Sequence, residues 1–158
     1  MASVQFAGKT HTDTAEVQSI LGDFGIPYER WGVRTADDAS DADILAAYEK
    51  DIERLKEERQ YVTADLVALS AATPGLAEIC AKFDKEHHHA EDEVRFTVAG
   101  EGVFEIMTEQ DGPIVFTAEA GDLIVIPKDR RHLFYLTEKQ SIRCIRLFKS
   151  QEGWAAIY

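Results

Sequence analysis

The hydrophobic pattern of this chain predicts a mainly β fold of the α+β class, a small β-barrel or jelly roll with helices packed on its outside. Apolar residues recur at helical spacing in stretches ending near Phe83, and from Glu86 onward the period changes to alternation in short runs separated by turn residues. No linker, repeat or low-complexity tract interrupts residues 1–158, which predicts a single domain. Within it, 1–85 reads as a mainly helical flank with an edge strand and 86–150 as the barrel core.

In the flank, Asp13 and Glu16 stand three apart as a capping box, and Val17, Ile20, Leu21 and Phe24 follow at helical spacing before Gly25. The aromatic, proline-interrupted stretch from Gly25 to Gly32 suits an edge strand, and a polar loop follows from Thr35 to Ser40. Ser40 with Asp43 caps a second helix whose apolar stripe is Leu45, Tyr48, Ile52 and Leu55. Tyr61 to Leu69 mixes β-formers with alanine and fits helix or strand. Thr73 and Pro74 suit the N-cap and first position of a third helix carrying Leu76, Ile79, Cys80 and Phe83 inward. Six strands are then expected at 86–98, 103–108, 113–117, 122–126, 132–137 and 141–148. Gly100-Glu101-Gly102, Asp111-Gly112 and Glu119-Ala120-Gly121-Asp122 are the turns between them.

Composition narrows the function. With 29 acidic against 17 basic residues the formal charge is −12, which repels nucleic acid. There is no run of eighteen apolar residues and no basic-then-apolar leader at the amino terminus, so a cytoplasmic protein with no membrane partner is expected. The two cysteines, Cys80 and Cys144, lack CxxC spacing and read as small buried apolar residues rather than thiolate ligands. No heptad is evident, and a monomer is the expected state.

The chemistry concentrates in Glu86-His87-His88-His89-Ala90-Glu91-Asp92-Glu93-Val94-Arg95-Phe96 and, some forty residues later, in Gly121-Asp122 through Pro127 to His132. If one pleat runs through the first segment, His87, His89, Glu93 and Arg95 share a face, while His88, Val94, Phe96 and Val98 take the other, apolar side and pack on the helical flank. His87, His89, Glu93 and His132 then make an N₃O ligand set that suits Fe²⁺, Ni²⁺, Mn²⁺ or Zn²⁺ and leaves two open positions on an octahedral ion. A structural zinc site would more often use thiolates. Surface histidines in an acidic loop are the plainer alternative. Arg146 lies on the face of Ile142, Cys144 and Phe148, where a guanidinium is costly unless it is paired or faces a polar cavity. Either a salt bridge or an anion-stabilising role accounts for it, and Arg95 invites the second reading as well.

His87-x-His89-x₃-Glu93-x₆-Gly100 and Gly121-x₅-Pro127-x₄-His132 resemble the two motifs of the cupin superfamily, with Ala81 and Asp129 standing where glycines are usual. The run Glu86-His87-x-His89-x-Glu91-Asp92-Glu93-Val94-Arg95-Phe96, the early Tyr28-Glu29-Arg30-Trp31 and the closing Arg146 to Trp154 resemble more closely the acireductone dioxygenase family. The resemblance implies a cupin-type double-stranded β-helix that oxidises acireductone (1,2-dihydroxy-3-keto-5-methylthiopentene) with O₂ in methionine salvage. One Fe²⁺ or Ni²⁺ per chain would be held by His87, His89, Glu93 and His132. Iron would give formate and 4-methylthio-2-oxobutanoate; nickel would give 3-methylthiopropanoate, formate and carbon monoxide. By position Arg95 and Arg146 would be catalytic, and Phe83, Phe134 and Trp154 would line the methylthio end of the pocket. Another cupin dioxygenase or isomerase, or a non-catalytic metabolite-binding cupin, would use the same scaffold.

Overall fold

The computed structural model describes residues 2–150 and 155–158. Strands β1 (Ser3–Phe6) and β2 (Lys9–His11) open the chain as a hairpin. Ala7 and Gly8 both have positive φ, as a tight two-residue turn between twisted strands requires. Helix α1 (Thr14–Asp23) starts at Asp13, whose side chain accepts from the Glu16 amide as the capping box predicts, and it buries Val17 and Leu21. Strand β3 (Tyr28–Arg30) follows as an edge strand.

The expected second helix is two helices, α2 (Asp41–Ala47) and α3 (Glu49–Arg59), broken at Tyr48. The Tyr48 hydroxyl accepts from the Arg34 amide and donates to the Gly32 carbonyl, which ties this residue to the preceding loop. Ser40 caps α2 as predicted, but Ile44 replaces Leu45 in the buried stripe with Tyr48, Ile52 and Leu55. The ambiguous stretch after Tyr61 becomes β4 (Thr63–Ser70). Helix α4 (Leu76–Phe83) begins after Gly75, at φ +70°, rather than after Thr73. The Thr73 hydroxyl accepts from the Ser70 amide and so closes the turn leaving β4 instead of capping the helix. The apolar stripe of α4 is only half-buried, and the helix lies against a later strand, β8 (His132–Leu136).

The barrel is organised by β5 (Glu93–Ile106), a single long strand where two strands and a turn were expected. Its first half pairs with β7 (Asp122–Ile126) and β9 (Ser141–Phe148); its second half pairs with β6 (Ile114–Glu119) and β8, all antiparallel. Between the halves the register against β9 shifts at Thr97 to Ala99, and Gly100 has φ +75°. The two glycines are a corner of the barrel rather than a hairpin, because a bulge and a glycine let one strand fold from one wall into the other. A Cβ on Gly100 would lie 2.0 Å from the Ser141 carbonyl oxygen, so the corner is closed against β9 by direct backbone approach. Strands β2, β1, β6, β5 and β8 form one wall, and β4, β9, β5, β7 and β3 the other. Among the described residues the flank therefore supplies four strands, not one.

Phe104, Phe116, Ile124, Ile126, Ile142 and Cys144 fill the space between the walls, with Val17 and Leu21 of α1 joining them. Val94, Phe96 and Val98 face outward onto α2 and α3, as their parity predicts. Phe96 stacks on Trp31 with ring centroids 4.6 Å apart and meets Tyr48 at the same separation. Burial of such a side chain contributes roughly 2–3 kcal/mol and each ring pair about 1 kcal/mol more. The helical layer is thus fixed to the strand that carries Glu93.

Candidate metal centre

Both ends of β5 reach the same end of the barrel, because the corner at Gly100 folds the strand back. Glu93 opens it, and Ile106 at its close pairs with His132, the first residue of β8. The segment 86–92 is not strand, contrary to the expected run from 86. It is held instead by two isolated bridges, His87 to His132 and His88 to Ile157. The continuous pleat assumed from the sequence is absent, yet the residues it was meant to align converge.

His87, His89 and His132 are buried, and their ligand nitrogens lie within 4.8 Å of one another. Each ring commits Nδ1 to a backbone carbonyl: His87 to Lys85 at 2.6 Å, His132 to Arg130 at 2.8 Å, and His89 to Ala155 at 3.1 Å. A carbonyl only accepts, so each Nδ1 carries a proton, and Nε2 is the atom through which each ring, when neutral, can coordinate. The Glu93 carboxylate closes the set, with Oε2 2.8 Å from His132 Nε2 and 3.3 Å from His89 Nε2. Three imidazoles and a carboxylate converging in a buried site are the donor chemistry of a divalent transition-metal ion.

The charges agree. Burial alone would push the Glu93 carboxyl up, but the Arg95 guanidinium, 3.1 Å from Oε1, helps hold it well below the usual carboxylate range. Burial lowers His87 and favours its neutral form. At His89 the effect of burial is outweighed by Glu93, which makes that imidazole more basic.

The other anticipated residues divide. Arg95 lies inside the barrel, its guanidinium carbon 5.4 Å from the Phe134 ring centroid and 5.9 Å from that of Phe104. Arg146 pairs directly across from Arg95 in the β5–β9 register, and so shares its face. It also forms a bidentate ion pair with Asp65 on β4, at 2.8 and 2.5 Å. Phe83, at the end of α4, stands 5.9 Å from the His87 ring. Trp154 lies outside the described residues. His88 is not part of the cluster, and its backbone pairs with Ile157. Asp129 adopts φ +65°, so it supplies the left-handed turn for which glycine is usual at that place.

Sequence reasoning missed the outer partners. Those of the histidines are backbone carbonyls, which leave no side-chain signature. The segment 155–158 gave no sign that it would lie over the site, where Tyr158 packs 5.9 Å from His87 and donates its hydroxyl to the Lys82 carbonyl. Asp65 was hidden because its strand was ambiguous.

A family model described as ARD/ARD′ matches residues 9–156. The chain is 43% identical to acireductone dioxygenase of Sulfurihydrogenibium sp. (strain YO3AOP1), over 96% of this chain and 89% of that protein. It is 39% identical to acireductone dioxygenase of Exiguobacterium sibiricum, over 100% and 95%. Among solved structures, acireductone dioxygenase from Bacillus anthracis, with a cadmium ion in its active centre, matches with a TM-score of 0.92 and 34% identity. That match covers 100% of this chain and 98% of the other.

Proposed function

The chain belongs to the acireductone dioxygenase (ARD/ARD′) family, and from that premise we propose that it oxidises acireductone with O₂ at the His87, His89, Glu93 and His132 cluster. It is a metal-binding dioxygenase of cupin fold. The observation that carries the reading is the convergence of three buried rings, each anchored through Nδ1 to a backbone carbonyl, with one carboxylate at a common point. One Fe²⁺ or Ni²⁺ per chain fits that donor set, and when bound it supplies Lewis acidity and a template for the two enediolate oxygens of the substrate.

The protein's own groups do the rest. Glu93 stays ionised because Arg95 adjoins it, and Arg95 in turn presents a fixed positive charge inside an aromatic wall where a substrate anion would be steadied. Arg146, anchored by Asp65, contributes a second fixed charge on the same face. Phe83, Phe134 and Trp154 would take the apolar methylthio end. The product branch follows the metal: iron gives formate and 4-methylthio-2-oxobutanoate, nickel gives 3-methylthiopropanoate, formate and carbon monoxide. The setting is methionine salvage in the cytoplasm, by a monomer whose only partners are its small substrate and O₂. No helix among the described residues is long and apolar enough to cross a membrane.

The test is anaerobic reconstitution of metal-free protein with Fe²⁺ or Ni²⁺, then loss of acireductone on adding O₂, with identification of products. The 2-oxo acid with iron and carbon monoxide with nickel are expected. Stoichiometric metal without turnover would assign the site to another substrate.

A further inference from the structure

Glu91, Asp92 and Glu93 are three carboxylates in sequence, and the metal cluster uses only the last. We propose that Asp92 is a positioning residue, which sets the spacing between the two chain segments that carry the ligands by gripping the backbone of one from the other. The proposal rests on the reading of His87, His89, Glu93 and His132 as metal ligands. His87, His89 and Glu93 come from one segment; His132 follows the loop 127–131. Backbone bonds lace the two: His87 and His132 exchange amide-to-carbonyl bonds at 2.9 Å, and the Asp129 amide donates to the His89 carbonyl at 2.9 Å.

Asp92 adds a side-chain tether. One carboxylate oxygen accepts the Lys128 amide at 2.9 Å, four residues before His132, and the other accepts the Tyr61 hydroxyl at 3.2 Å. Tyr61 is buried in the cluster between the helical layer and the strands, so the tether ends on a packed anchor. On its outer side the loop borders an open groove with Asp23, Phe24 and Met107, where the Met107 amide donates to the Arg131 carbonyl at 2.9 Å. The loop's own Arg130 and Arg131 reach out to the Phe24 carbonyl and to Glu86 through long side chains, whereas Asp92 holds the main chain itself. A ligand loop displaced by a fraction of an ångström loosens every bond to a shared ion, which is why outer partners matter to affinity.

The test is calorimetric titration of Ni²⁺ into metal-free full-length protein, with melting of the metal-free protein alongside. Asp92→Ala is expected to weaken Ni²⁺ by about 10- to 100-fold. Asp92→Asn, whose amide oxygen still accepts from Lys128, is expected to restore most of that affinity. Lys128→Pro gives a second route that leaves Asp92 in place. Lys128 holds the second position of a turn closed by the Arg130 amide on the Pro127 carbonyl, with Asp129 at φ +65°, and proline suits that position while lacking the N–H. It should weaken Ni²⁺ as Asp92→Ala does. Wild-type Ni²⁺ affinity in Asp92→Ala or Lys128→Pro, with only the metal-free melting temperature lowered, would overturn the proposal. Failure of the ligand assignment itself would look different: His132→Ala would then bind Ni²⁺ as well as wild type.

Discussion

Two buried carboxylates stand at opposite ends of the same strand pair, and their surroundings give them different work. Asp122 opens β7 at the corner end; Glu93 opens β5 and pairs with Ile126 at the other end of β7. Asp122 receives the Tyr28 hydroxyl at 2.7 Å, Arg30 at 2.9 Å and the Glu119 amide at 2.9 Å, three donors from two strands, β3 and β6. Glu93 meets one guanidinium and the Nε2 atoms of two imidazoles. A buried charge fully surrounded by donors is a structural lock. A buried carboxylate clustered with three imidazoles is instead a ligand set for a cation, and that difference separates the closed end of the barrel from the chemical end.

The largest expected effect is at the chemical end. Glu93→Gln and His132→Ala should each lose bound metal and lower turnover by more than the roughly 100-fold that removing an outer partner costs, because a ligand itself is gone. Elemental analysis beside the rate measures both. Retention of full metal content by either variant would break the contrast. At the corner end the largest effect is on folding: Gly100→Ala puts a Cβ 2.0 Å from the Ser141 carbonyl oxygen at φ +75°, so backbone must move and a loss on the order of 4 kcal/mol is expected in urea unfolding. Asp122→Ala comes next. It leaves the Tyr28 hydroxyl without its acceptor and takes from Arg30 its carboxylate partner, though not the Ala120 carbonyl, and should cost about 3 kcal/mol, or roughly 6–12 °C in melting temperature, while folded protein still binds its metal. Equal metal loss in Asp122→Ala and Glu93→Gln would mean that the two ends are not separable.

Which end was legible follows from the same physics. Residue type and spacing disclosed the histidines, Glu93 and the apolar parity of Val94, Phe96 and Val98, since a ligand set and a pleat both impose short periods. The capping boxes at Asp13 and Ser40 were readable because the donor and acceptor lie three residues apart. Gly100 and Gly102 were misread because glycine marks a hairpin turn and a barrel corner alike, and only the distant Ser141 and Phe134 decide between them. The Asp122 lock was equally hidden: its donors Tyr28 and Arg30 lie more than ninety residues away in sequence. The Tyr48 break depends on a hydroxyl reaching a loop, which no helical period records.

The smallest effect uses pH to address the locked end through one group, Tyr28. Burial, and then the Asp122 carboxylate it bonds, raise the Tyr28 phenol well above its ordinary value near 10. A group whose folded value is raised contributes stability that is fully present below its unfolded value and is lost as pH rises from there toward the folded one. Wild type should therefore lose stability progressively above pH about 10. Tyr61, raised chiefly by burial, contributes to the same decline. Tyr28→Phe should cost about 1 kcal/mol at pH 7 through the lost hydrogen bond, and show a shallower fall in the alkaline range because only Tyr61 of the pair still titrates. Urea unfolding of both proteins at intervals between neutral and alkaline pH measures the two slopes. Parallel slopes would mean that ionisation of Tyr28 is not linked to the lock, and that Asp122 is held by Arg30 and the Glu119 amide without it.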